Sequence, residues 1–115
     1  MSTYNWVEYE QRRIAPKIGT DEVRVGSARI SYSLEYDEAI GSPIGVKLLH
    51  DSKRNAIGIK PAGINGYKIQ RKAKTTREVA CKSFIIDLKL LPGIYKAKME
   101  GDTIIFLSSE KVRNR

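Results

Sequence analysis

The chain has a single cysteine, Cys81, and a single histidine, His50, in 115 residues. That scarcity excludes a disulfide framework and any zinc site made of Cys and His within one chain. Long apolar runs are missing as well. None approaches the roughly 20 residues that a membrane-spanning helix needs, so no membrane partner is expected. The first residues show no basic region followed by an apolar stretch, so no secretory signal is expected and a cytoplasmic location is the default. Gly41, Gly45 and Gly58 lack the spacing of a phosphate-cradling loop, and no Gly-Lys precedes a Ser or Thr.

Acidic residues are also in short supply, 13 against 21 Lys and Arg, for a net charge of +8. Such a balance favours an acidic partner, with nucleic acid the commonest candidate and a merely soluble basic domain the alternative. The excess is concentrated. Residues 1–27 and 78–107 each sum to zero, and 28–61 carry +1. Residues 62–77 hold Lys68, Arg71, Lys72, Lys74 and Arg77 with no acid, and 108–115 add Lys111, Arg113 and Arg115 against Glu110. A surface shaped only for solubility intersperses the two signs.

Local patterning predicts a β-rich body. Residues 1–21 show no sustained period and read as an N-terminal arm, with Tyr4, Trp6 and Tyr9 as possible anchors. Residues 23–25 and 29–32 alternate as strands around a turn at Gly26 and Ser27. Ser33 suits a helix N-cap, and Glu35, Asp37 and Glu38 crowd the first turns, where the helix dipole favours anions. Gly41 and Pro43 end that short helix. Residues 46–50 and 56–60 form a hairpin closed by Pro61. After a connector, residues 67–70 begin a strand, 78–81 return, Ser83 caps a helix running to Leu90, and Pro92 stops it. Residues 94–99 and 103–107 form the last hairpin around Gly101 and Asp102. The remaining 108–115 read as a basic tail.

Both halves thus follow one order of elements. Ile30 and Val79 are 49 residues apart, as are Pro43 and Pro92, while the helices pair Ser33 with Ser83 and Ile40 with Leu90 at 50. The expected fold is mainly β with two short helices. Two ββαββ-like repeats, 22–61 and 66–107, would form a pseudo-two-fold, barrel-like body. One such unit cannot bury its own apolar faces, but two packed together can, so a monomer that imitates a dimer is expected.

These features resemble an AbrB/MazE-type swapped-hairpin unit. The residues that carry the likeness are Arg29, Ile30, Ser31 and Tyr32, the short helix ending at Gly41, Pro43, and the hairpin from Val46 to Ile59. In the second half Leu90, Leu91, Pro92, Gly93, Ile94 and Tyr95 stand where that family has a Pro-Gly before its third strand. The likeness covers roughly residues 22–107 as two copies. It implies a β-rich DNA-binding body, formed in that family by two interlocked chains and here by one. Basic residues near the first strand and adjacent loops make the family's DNA contacts, and Arg24, Arg29, Lys72, Lys74 and Arg77 occupy comparable places.

Catalytic candidates are few. His50 and Asp51 are adjacent, so on a strand they point to opposite faces and form no dyad. Cys81 lies in an apolar strand context and reads as a buried thiol. Asp87, Glu100 and Asp102 match no metal-loop spacing. No enzyme activity, cofactor or metal is expected.

The leading expectation is a small nucleic-acid-binding protein, a DNA-binding regulator or accessory factor with DNA favoured over RNA. On one predicted strand, Lys68, Gln70, Lys72 and Lys74 alternate onto one face and Tyr67, Ile69 and Ala73 onto the other, with Arg71 at an edge. Such a face can follow phosphates while Gln70 or an Arg reads base edges. Lysines that guard a sheet edge are the competing explanation. Tyr67 and Tyr95 could stack on unpaired bases if exposed. The other expected class is a non-enzymatic interaction module that binds an acidic protein surface.

Overall fold

The computed structural model describes residues 18–71 and 73–114, so Tyr4, Trp6, Tyr9, Lys72 and Arg115 lie outside the described residues. Eight strands and two short helices follow one another as β1 (Glu22–Val25), β2 (Arg29–Ser33), α1 (Leu34–Ala39), β3 (Gly45–Asp51), β4 (Ala56–Ala62), β5 (Tyr67–Gln70), β6 (Thr76–Ala80), α2 (Lys82–Asp87), β7 (Gly93–Glu100) and β8 (Thr103–Arg113). All ladders are antiparallel, and they close into a barrel in the order β1-β2-β6-β5-β3-β4-β8-β7.

Closure follows from the alternation of the strands. Val23 and Val25, Ile30 and Tyr32, Ile57 and Ile59, Tyr95 and Ala97, and Ile104 and Phe106 are buried pairs two residues apart. Side chains two apart on a strand share a face, so each strand offers one apolar face. Eight strands leave an interior that such side chains fill. Tyr95 and Phe106 meet there with ring centroids 5.2 Å apart.

The helices plug the turns between hairpins. The Ser33 hydroxyl accepts from the Tyr36 N–H at 3.2 Å and donates to the Thr20 carbonyl at 2.8 Å, as its N-cap role requires. At the other end, Gly41 takes φ 92°, its N–H reaching Glu38 while that of Ser42 reaches Asp37. That pair of bonds is a Schellman motif, which needs a left-handed residue where glycine stands.

The second half departs from expectation at its helix. α2 starts at Lys82 and stops at Asp87, short of Leu90, and its N-cap is Cys81, which makes no side-chain capping bond, rather than Ser83. The two helices therefore correspond at 48 residues, Leu34 with Lys82, and not at 50. α2 ends in the same bonding pattern, Lys89 to Ile86 and Leu90 to Ile85, but Lys89 occupies the left-handed position at φ 54°. Lacking glycine there, the sequence concealed the stop.

Three other expectations need correction. The first hairpin turns at Ser27 and Ala28, because the Gly26 N–H bonds the Arg29 carbonyl at 2.8 Å. β4 runs past Pro61 to Ala62. Residues 108–113, expected in a basic tail, belong to β8, which continues to Arg113 and pairs with β7 at Tyr95↔Lys111 and Ile94↔Arg113 beyond a register shift. No helix among the described residues is long and apolar enough to cross a membrane.

Candidate nucleic-acid interface

The expected basic strand is shorter than its charge pattern. β5 ends at Gln70, and residues 73–75 bend into β6, so Lys74 stands beyond the strand and does not continue its face. The alternation Lys68, Gln70, Lys72, Lys74 is not carried through to Lys74, because the chain bends at residues 73–75. Lys68 is exposed on the outer face, opposite Gly45 of β3. Gln70 lies opposite Glu78 of β6, with its Oε1 buried and lacking a hydrogen-bond partner. Arg71 is exposed, and its Nη2 donates to the Pro43 carbonyl at 3.1 Å.

Arg77 is not on the surface expected for it. It lies opposite Tyr32 on the inward side of the barrel wall. Its Nε sits 3.3 Å from Asp37 Oδ2, with the two side chains only 13% and 1% exposed. Nη1 donates to the carbonyls of Ala73 and Thr76. A guanidinium whose Nε and Nη1 are held by a buried carboxylate and two carbonyls is tied to the fold.

Arg24 and Arg29 lie on the outward side. Arg24 is half-buried, between Ser31 of β2 and Ile94 of β7. Arg29 faces Ala80 across the β2–β6 ladder, and its Nη1 reaches Glu78 Oε2 at 3.3 Å. Lys68 and Ala80 are each one residue beyond the Ile69–Val79 pair, so Arg29, Ala80 and Lys68 follow one another across three strands. At the usual strand spacing, Arg29 and Lys68 stand about 10 Å apart.

One feature of this face escaped the sequence reading. Lys47 of β3 is the direct partner of Lys60 of β4, both are exposed, and neither has a carboxylate within 4 Å among the described residues. Like charges directly opposite in a ladder destabilise it. Counting back from the turn after Asp51 would have revealed the pair, because both strands were already assigned. Lys47 lies two residues along β3 from Gly45, the neighbour of Lys68. Lys68, Lys47 and Lys60 therefore form one patch on the outer wall.

Two further cations are paired near the start of β1. Arg113 holds Glu22, and Lys96 pairs with Asp21. Burial opposes the charged form of Glu22, but the Gly19 N–H and the Arg113 guanidinium bring its carboxyl below the usual value. The hydrogen bond from Lys96 lowers Asp21 in the same way. Burial pushes the Cys81 thiol up to about 11, which makes it a poor nucleophile at neutral pH. His50 and Asp51 face different ladder partners, Ile57 and Ala56. No group of three or more His, Cys, Asp or Glu among the described residues could hold a metal ion.

Two hollows flank the patch. One of about 360 Å³ lies over Gly58, with Leu49, Ile105 and Leu107 beside Lys98 and Glu100. The other, about 350 Å³, lies between the tip of the first hairpin and the start of α2, lined by Arg29, Tyr67, Ala80 and Lys82 among others. No family model, no curated protein and no solved structure matches the chain.

Proposed function

We propose that this protein binds nucleic acid through the outer wall of its barrel, with Lys68, Lys47 and Lys60 at the centre and Arg71, Lys74 and Arg29 at the margin. The observation that carries the reading is the Lys47–Lys60 pair, two exposed lysines directly opposite each other in the β3–β4 ladder, neither ion-paired among the described residues. A fold that only needed solubility gains nothing from that repulsion, whereas a phosphate placed between the two relieves it. Guarding an edge does not account for Lys68, because β5 is bonded to β3 on one side and β6 on the other. DNA is the preferred ligand, as the AbrB/MazE-type resemblance implies, with a regulatory or accessory role and the cytoplasm as the default setting.

The same proposal takes the chain as two ββαββ units around a pseudo-two-fold axis, complete as a monomer. The pairing supports this. Replacing each strand by the one four places away turns β1–β2 into β5–β6, β3–β4 into β7–β8 and β1–β7 into β5–β3, and it returns β2–β6 and β4–β8 to themselves. Ile30 and Val79, equivalent by sequence spacing, are also direct ladder partners, as expected at a two-fold axis.

A partner with an acidic protein surface is the second reading. The hollow over Gly58 favours it, since Leu49 there is 43% exposed next to Lys47 and Lys60. Fluorescence anisotropy with duplex DNA, single-stranded DNA and RNA over a salt series separates the two. Nucleic-acid binding loses affinity linearly in the logarithm of salt concentration. Absence of binding to all three at low salt would sink the leading proposal.

A further inference from the structure

Resting on that reading, we infer that the hollow beside Tyr67 is a site for one unpaired nucleotide, with the base on the Tyr67 ring and its phosphate between Arg29 and Lys82. Several surface hollows lie among the described residues. The one over Gly58 includes Asp51 and Glu100, its neighbour includes Asp51, and the one on the far side of the hairpin tip includes Glu78. The hollow at Tyr67 has Arg29 and Lys82 in its lining and no carboxylate. Arg29 is shared with Glu78 on its far side, which leaves Lys82 as the cation without a carboxylate partner among the described residues.

Its other walls suit a flat aromatic ligand. Ala28 and Ala80 give a low apolar floor, and Ser83 offers a hydroxyl that can donate or accept. Tyr67 is 40% exposed, whereas Tyr32, Tyr36, Tyr95 and Phe106 are all buried, and Phe84 packs against the core. An aromatic ring left open to water beside exposed cations is the combination by which sequence-tolerant single-strand binding works. Every base has a π-face to stack, and cations track the backbone. A base held inside a duplex cannot present that face, so the site discriminates against paired nucleic acid. Tyr95, the other tyrosine considered for stacking, is 1% exposed and takes no part.

The hollow, about 350 Å³, is lined by Tyr67 and Ala80, the sequence neighbour and the cross-strand neighbour of Lys68, whose side chain lies on the outer face. A strand leaving the hollow therefore meets the Lys68, Lys47 and Lys60 patch. Arg29 also lines the hollow across the hairpin tip, so the chain can pass in that direction too.

The test uses the whole chain and labelled thymidine and adenosine single strands of about twelve nucleotides, a typical footprint for such surfaces, alongside the matching duplex. Tyr67→Ala is expected to weaken single-strand binding by about ten- to a hundred-fold. Duplex affinity and the salt slope should stay unchanged. Tyr67→Phe, which keeps the ring, is expected to bind like the parent. A 2-aminopurine placed in the strand should be quenched on binding to the parent and not to Tyr67→Ala. Urea midpoints of both variants confirm that they fold. If Tyr67→Ala binds single strands as the parent does, or if Tyr67→Phe loses as much as Tyr67→Ala, the inference is overturned while the basic-wall reading stands. Failure of the parent to bind any nucleic acid overturns both.

Discussion

The guanidinium of Arg113 grips both carboxylate oxygens of Glu22, Nη1 at 2.7 Å and Nη2 at 2.9 Å, across 91 residues of chain. The two strands that carry them are separated by β7, so this contact straps the far end of β8 over its neighbour and onto β1. The Glu22 side chain is 9% exposed and that of Arg113 42%. Glu22 also accepts the Gly19 N–H at 2.6 Å, which anchors the entry to the first strand.

Losing this strap should show in a pH titration. The folded-state carboxyl of Glu22 lies below its ordinary value. A group depressed on folding contributes stability that is present above its unfolded pKa, roughly 4.3, and lost as pH falls through the folded value. Thermal midpoints of the parent should therefore drop in that acid window, and Glu22→Gln should flatten the drop. At neutral pH, Arg113→Ala should cost about 1–2 kcal/mol, between the values for exposed and buried pairs. Unchanged urea midpoints would show that the last residues of β8 hold nothing.

Arg77 should behave as a structural residue. Its partner Asp37 is 1% exposed, so Arg77→Ala strands a buried carboxylate and should destabilise by about 3–5 kcal/mol. Whatever fraction stays folded should bind nucleic acid with the parent's salt slope. A slope reduced by about one unit, with stability intact, would instead return Arg77 to the binding face.

Lys89→Gly should stabilise the protein. Lys89 holds φ 54° at the end of α2, at the place where Gly41 ends α1. A residue with a Cβ loses roughly 1–2 kcal/mol in that conformation, partly offset by the extra freedom glycine has when unfolded. A net gain of about 0.5–1 kcal/mol is expected. Chemical denaturation checks it, and a lower midpoint would mean that the lysine side chain has a role the backbone does not reveal.

The Lys47–Lys60 pair should matter to ligand and fold in opposite senses. Changing both to Ala should lower the salt slope on duplex DNA by about two units. The same change should leave stability equal or slightly raised, because it removes a like-charge pair. Adding Lys68→Ala should lower the slope by about one unit more. An unaltered slope in the triple variant would place binding elsewhere.

Much of the strand pattern could be read along the chain. Val23, Val25, Ile30 and Tyr32 announce an inward face because their burial repeats every two residues. Ser33, Gly41 and Pro43 mark the ends of α1 because capping and helix-breaking act within a turn. The bounds of α2 were hidden for the same reason: Cys81 stands at its N-cap without a side-chain bond, and Lys89 takes the left-handed position without being glycine. The candidate site was legible in part. Lys68, Arg71 and Lys74 stand exposed as expected, while Arg77 was misplaced because its partner Asp37 is 40 residues away.

The sequence by itself determined which residues alternate, where most strands turn and which segment concentrates charge, since each depends on neighbours within a few positions. Only the tertiary structure decided which strands meet and which cations stay free. The barrel sets β2 against β6 and β4 against β8, buries Arg77 behind its wall, ties Arg113 to Glu22, and brings Lys68 next to Lys47 and Lys60. Those choices rest on contacts between residues far apart in the chain. Such contacts form only when closing the barrel gives every inward face a partner, and no local pattern encodes them.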